Sequence, residues 1–143
     1  MKKTNKMQTT FKALSGAVLA TSLLAGSQAF AADICTSEGK EVDETTFIGS
    51  KIYDRTFGRG CGTCHDVSPN PNLLESVKKL SKEEFATVLT DGRNGMPKAV
   101  DAMKAVGPVK KAGLSDEDTI NAIWVYLNCR AENKIPAKVK KKK

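Results

Sequence analysis

Cys61-Gly62-Thr63-Cys64-His65 sets two thiols three positions apart and an imidazole directly after the second. The pattern C-x-x-C-H is the attachment signature of c-type haem. Each thiol can add to one of the two vinyl groups on the porphyrin edge. The histidine then lies under the ring, with an imidazole nitrogen in reach of the iron. Five consecutive residues thus anchor the cofactor and supply one axial ligand. A redox dithiol and half of a zinc site are the alternatives for the same five residues. Zinc would need two further ligands. His65 is the chain's one histidine, and Cys35 and Cys129 lie far off without a C-x-x-C partner. One covalent haem c on Cys61, Cys64 and His65 is therefore expected.

The 143 residues are enough for one domain. Residues 1–31 read as a secretory signal peptide and are set aside from the fold. Lys2, Lys3, Lys6 and Lys12 form a basic start, Ala13 to Ala25 is largely apolar, and Ala29-Phe30-Ala31 has the A-x-A form of a cleavage site. The apolar stretch is 13 residues, whereas a spanning helix needs about 20; an uncleaved anchor is the alternative. The expected mature chain is 32–143, exported to the periplasm, where a haem-attachment motif fits an oxidising compartment.

Setting the signal aside changes the charge. The whole chain is +7 at pH 7, but the mature part has 19 basic and 16 acidic residues, a net +3. Lys138 and Lys140 to Lys143 supply five of those lysines, and without them the body is −2. Nothing here resembles a nucleic-acid-binding surface. A domain of this size has a modest core, which a large apolar cofactor would help to fill.

Residues 32–44 read as an acidic, extended leader. Thr45 or Thr46 caps a helix to about Phe57, with Phe47, Ile48, Ile52 and Tyr53 on one face. Gly58, Gly60 and Gly62 break that pattern and let the backbone approach the haem edge. Pro69 and Pro71 punctuate a loop over 66–72, and a short helical stretch follows within 73–80. Ser81 with Glu84 three residues on forms a capping box, and its helix ends at Gly92 in a left-handed conformation. Residues 93–97 are a loop. Residues 99–106 form a helix with Val100, Met103 and Val106 inward, closed by Gly107-Pro108. Ser115 opens the last helix, whose buried stripe is Ile120, Ile123, Trp124 and Leu127 and which runs to about Arg130. Residues 134–143 read as a solvated basic tail, and no β-pattern is seen.

His65 is used up as the first ligand, so a second histidine cannot come from the same chain. The mature part has two methionines, Met96 and Met103. A thioether opposite histidine favours ferrous haem and raises the potential. Met96 lies in a loop before Pro97, where a side chain can be aimed at a ring; Met103 lies in a helix whose periodicity buries it by packing. Met96 is the expected sixth ligand.

Several stretches together resemble the class I (mitochondrial-like) monohaem c-type cytochromes of the bacterial periplasmic kind. They are Gly49 with Tyr53, Cys61 to His65, Asn70-Pro71-Asn72-Leu73, Asp91 to Pro97, and Leu114 to Asp118 followed by Tyr126-Leu127. The resemblance implies an all-α cytochrome c-like fold of about four or five helices around one covalent haem, occupying 45–133. It implies that the proline carbonyl after the motif receives the N–H of the ligand histidine. Pro71 holds that place, with Pro69 as competitor. It implies that Met96-Pro97 is the ligand loop. The segments 54–60 and 98–113 are longer than the family pattern, and Asn70 stands where a glycine is usual.

In such a fold the terminal helices cross, which brings Cys35 and Cys129 into a candidate disulfide that an oxidising compartment permits; free thiols or an intermolecular bond are the alternatives. Arg93, like Arg59, either pairs with a haem propionate or is solvated. Trp124 and Tyr126 are expected to pack the core and the haem. The basic tail either contacts an acidic partner or membrane surface, or is a solubilising end.

The function so implied is a single-haem carrier, a monomer meeting periplasmic redox proteins transiently. It is not an enzyme in its own right and takes no small-molecule substrate. Two other readings stand beside it. One is a dedicated acceptor subunit of a periplasmic dehydrogenase or metal-oxidising system; the other is a ligand-binding or peroxidase-like haem protein, against which Met96 argues.

Overall fold

Two helices from opposite ends of the domain, α1 (Glu44–Arg55) and α7 (Asp116–Ala131), cross at Gly49. A β-carbon at Gly49 would overlap the carbonyl oxygen of Ala122 and stand 2.7 Å from Cβ of Tyr126. Only glycine lets the two backbones approach so closely. Around the crossing, Ile48 and Ile52 of α1 meet Ile123, Tyr126 and Leu127 of α7 in one buried cluster. Ile52 and Leu127 are wholly enclosed, each worth roughly 1.5–3 kcal/mol against leaving it in water.

The computed structural model describes residues 34–143, so the expected signal peptide at 1–31 lies outside the described residues, as do Ala32 and Asp33. Between the crossed helices run a 3₁₀ turn (Thr56–Gly58), α2 (Gly62–His65), α3 (Leu73–Ser76), α4 (Lys82–Asp91), α5 (Val100–Lys104) and α6 (Gly107–Ala112). The fold is all-α in class. Its seven α-helices among the described residues exceed the four or five expected, because single-turn helices such as α2 and α3 count separately.

Local sequence sets most boundaries. Ser81 accepts from the Glu84 amide while the Glu84 carboxylate accepts from the Ser81 amide, the reciprocal capping box. The Ser115 side chain caps α7, and Asp116, Glu117 and Asp118 place negative charge at its dipole-positive end. Phe85 of α4 stacks obliquely on Trp124 of α7, with ring centroids 5.1 Å apart.

Several expectations require correction. Helix α1 is capped by Asp43, not by Thr45 or Thr46. The Asp43 carboxylate accepts from the Thr46 amide at 2.9 Å and from the Thr46 hydroxyl at 2.8 Å. Gly107-Pro108 opens α6 instead of closing α5, as proline's fixed φ and missing N–H suit a first turn. Gly92 has positive φ but an extended ψ of 167°, so it ends α4 without entering the left-handed helical region.

The largest correction concerns the termini. Leader and tail pair as a two-stranded parallel sheet, β1 (Glu41–Val42) with β2 (Lys140–Lys141), where no β-structure was expected. The Lys140 amide donates to the Lys40 carbonyl and the Lys142 amide to that of Val42, both at 2.8 Å. Ile135 and Val139, within the supposedly solvated tail, are buried. Tyr126 donates from its hydroxyl to the Ala137 carbonyl at 2.9 Å. Cys35 and Cys129 form a disulfide with Cα atoms 5.0 Å apart, tying the leader to the end of α7.

Candidate functional site

The C-x-x-C-H motif is hung from the end of α1. Gly60, at φ +85°, sits where a β-carbon would lie 2.7 and 2.8 Å from the carbonyl oxygens of Asp54 and Tyr53, a close approach suited to glycine. The Cys61 amide then donates to the Tyr53 carbonyl at 2.7 Å. From the other side the Tyr53 hydroxyl donates to Asp66 Oδ1 at 2.9 Å. Burial, reinforced by that carboxylate, raises the Tyr53 phenol above its ordinary value, so it remains a donor.

Helix α2 is a single turn, closed by the His65 amide donating to the Cys61 carbonyl at 3.0 Å. Positions i, i+3 and i+4 of such a turn share one face. Cys61, Cys64 and His65 hold those positions, so two thiols and the imidazole project from one side. Both cysteines are free thiols, Cys61 half-buried and Cys64 exposed. Burial pushes the Cys61 thiol up to about 11, against a smaller lowering by the Thr56 side chain.

His65 Nδ1 lies 2.8 Å from the carbonyl oxygen of Pro71. A carbonyl can only accept, so Nδ1 carries the proton and Nε2 presents its lone pair outward. Pro71, not Pro69, thus meets the histidine. Two asparagines fix the loop between them. Asn70 donates from Nδ2 to the Cys64 carbonyl at 2.9 Å, and Asn72 Oδ1 caps α3 by accepting from the amides of Leu74 and Glu75.

Met96 is carried on a tight reversal. Arg93 and Met96 exchange backbone hydrogen bonds of 3.1 and 2.8 Å, and Asn94 and Gly95 between them have φ of 49° and 88°. Two positive φ values in a two-residue loop are the mark of a type I′ turn, favoured by Asn-Gly. Met96 is half-buried at the edge of the core, whereas Met103 is 1% exposed and enclosed within it. Arg59 and Arg93 are exposed. Trp124 and Tyr126 are buried in the core, Tyr126 facing the tail through its hydroxyl.

These residues fit haem c. No residue from Cys61 to Ser76 is fully buried, while Leu73, Leu74, Leu80 and Met96 lie half-buried against the core. A large apolar group attached at the two thiols would cover them. Among the described residues no three His, Cys, Asp or Glu side chains converge to hold a bare metal ion.

Comparison with known proteins agrees with the geometry. The family model described as cytochrome c oxidase, cbb3-type, subunit III matches residues 49–127. That span begins at the glycine of the helix crossing and contains the C-x-x-C-H turn and Met96. The chain belongs to the class I monohaem c-type cytochromes. A cytochrome c-555 of Methylococcus capsulatus (strain Bath) is 35% identical to this cytochrome over 101 residues, covering 67% of this chain and 71% of the relative. No solved structure matches the chain. As a family member the cytochrome binds haem c covalently, the C-x-x-C-H arrangement of Cys61 and Cys64 is consistent with that, and its activity is haem-based electron transfer.

The sequence reading passed over the residues that frame the site, namely Asp66 on Tyr53, Asn70 on Cys64, and the cap at Asn72. Asn72 was within reach, since Asn immediately before an apolar pair is an N-cap signal. The partner of Tyr53 carried no such signal, because it depends on how α1 and α2 meet.

Proposed function

We propose that this cytochrome is an exported, periplasmic carrier that passes single electrons between transient redox partners, with His65 and Met96 as the axial ligands of its haem. The observation that carries the reading is the 2.8 Å contact between His65 Nδ1 and the Pro71 carbonyl. It holds the tautomer that leaves Nε2 free, and an imidazole so held is oriented for metal ligation. Bound haem c supplies a one-electron iron couple, and a thioether opposite histidine favours its reduced form.

The chain's own part is to hold both ligands still. His65 is set by one helical turn and one carbonyl. Met96 is set by a type I′ turn, a stiff two-residue loop, and by Pro97 after it. Downstream, the Ala99 amide returns to the Leu89 carbonyl at 2.8 Å, so the ligand loop is pinned at both ends. A site with both axial places taken leaves none for a substrate, which favours a carrier over a peroxidase-like or gas-binding protein.

The test is spectroscopic. Ferric protein should show the weak near-infrared charge-transfer band of methionine-ligated haem. Met96→Ala should abolish it, lower the potential and admit carbon monoxide to the ferrous form. Met103→Ala should keep the band and destabilise the fold by roughly 2–5 kcal/mol, as for a buried methionine. A band that survives Met96→Ala and vanishes in Met103→Ala would overturn the ligand assignment.

A further inference from the structure

The five lysines at the C-terminal end are not a loose charge run. Val139 is buried between Lys138 and Lys140, and backbone hydrogen bonds from Lys140 and Lys142 fasten the segment to the leader. The disulfide between Cys35 and Cys129 fastens the leader in turn to α7. Lys138, Lys140, Lys141, Lys142 and Lys143 are all exposed. One of them, Lys141, pairs with Glu44 at 2.6 Å. Glu38, Glu41 and Asp43 are the other described acids of the leader, and Lys40 adds a further positive charge beside them, so six lysines face four carboxylates there. Lysine therefore outnumbers carboxylate on this fixed ledge, whereas residues 32–143 without the five tail lysines are −2.

The make-up of the ledge selects among partners. Protein interfaces are built around aromatic, Met and Arg residues and are poor in Lys. This ledge exposes lysine and no aromatic, Met or Arg side chain from 138 to 143. Lysine is a hydrated point charge on a flexible stem, without the planar fork that makes arginine selective. Such a surface suits a diffuse sheet of negative charge, to which each lysine adds independently.

Position adds a second argument. Glu44, which holds Lys141, begins α1, while Tyr53, which holds Cys61, lies near its other end. At 1.5 Å per residue these anchors are about 14 Å apart along the helix.

We propose that the ledge at 138–143 docks this cytochrome on an anionic lipid surface while leaving the C-x-x-C-H end of the domain free to exchange electrons. The docking half stands independently of the axial-ligand assignment. The second half rests on the carrier reading above.

Flotation of the mature holoprotein with vesicles tests the docking. Binding is expected to phosphatidylglycerol–phosphatidylcholine vesicles and not to pure phosphatidylcholine, and it should fade with salt as the Debye length shrinks. Each lysine near such a surface is worth roughly a fivefold gain, so K138Q/K140Q/K142Q/K143Q should bind roughly six hundredfold more weakly. K78Q/K79Q/K110Q/K111Q removes the same charge from exposed positions elsewhere and should bind within a few-fold of wild type.

Equal loss in both variants would show a response to net charge alone and overturn the ledge. Failure to float with phosphatidylglycerol vesicles would do the same. Displacement from them by polyglutamate at matched charge, with tighter binding to that polymer, would assign the ledge to an acidic protein instead and overturn the lipid proposal. Reduction of vesicle-bound protein by a soluble reductant should proceed at the rate of free protein. A tenfold slower rate with binding intact would overturn the free-end half alone, and it would leave the near-infrared test of the carrier reading untouched.

Discussion

Helix α7 and the stretch from Cys61 to Ser76 have the same length, sixteen residues, and opposite interiors. Eight residues of α7 are buried, from Thr119 to Cys129. None from Cys61 to Ser76 is. Yet the second stretch is held almost as fully by hydrogen bonds, through Tyr53 to Asp66, Asn70 to Cys64 and His65 to Pro71. The difference teaches how the molecule divides its labour. The crossed terminal helices make a core from side chains alone, while the motif half is shaped by polar contacts around a place where an attached apolar group supplies the missing interior.

The hardest test of that contrast removes the attachment. Cys61→Ser with Cys64→Ser should abolish haem staining on denaturing gels and lower the melting temperature more than any other change considered. A colourless protein that melts like wild type would break the comparison, since the motif half would then be self-sufficient.

The terminal half should fail differently. Cys35 and Cys129 are 94 positions apart, and a loop of about 100 residues is worth up to ~4.7 kcal/mol in the chain-entropy model. Denaturant titration of Cys129→Ser should show a loss of roughly 2–4 kcal/mol, with the visible spectrum unchanged. A shifted haem spectrum would mean that the halves are coupled.

A smaller effect sharpens the picture at α4, which packs on α7 through Phe85 and Trp124. Ser81→Ala removes one arm of the capping box and should cost about 1 kcal/mol in chemical denaturation, without change in potential.

The smallest effect is a pH dependence at the leader. Burial raises the Asp43 carboxyl, but hydrogen bonds from Ser37 and Thr46 outweigh it and hold the group below its ordinary 3.8. A lowered native value means that the unfolded chain binds the proton more readily. The stabilisation is therefore present above 3.8 and lost as pH falls through the lower native value. Asp43→Asn should flatten the stability profile in that acid window and leave neutral-pH electron transfer alone. An unchanged acid slope would remove Asp43 from the account.

Much of this was legible in the residues themselves. Ser81, Glu84 and Ser115 announce helix starts because capping is local chemistry. Ile120, Ile123, Trp124 and Leu127 announce a buried face because helical period is local geometry. The C-x-x-C-H turn is legible for the same reason: one helical turn is enough to align its three groups. The reading failed where the partner lies far along the chain. Val42 with Lys141 is a pairing across 99 positions, and two residues of strand carry no pattern, so a lysine run around one buried valine read as solvent-facing. Pro108 failed for another reason, as proline after glycine suits a stop and a start equally. Asn94-Gly95 did carry its signal, the type I′ dipeptide, which the loop assignment at 93–97 did not use.

The glycine crossing also sets a timetable. Gly49 meets Ala122 across 73 positions, so α1 lacks its main packing partner until the end of the chain has been made. Synthesis delivers the N-terminal side first. The C-x-x-C-H segment is therefore complete while residues 66–115 have still to emerge. The arrival of α7 then closes the crossing, and the last helix serves as a latch on the order of assembly as well as a wall of the finished core.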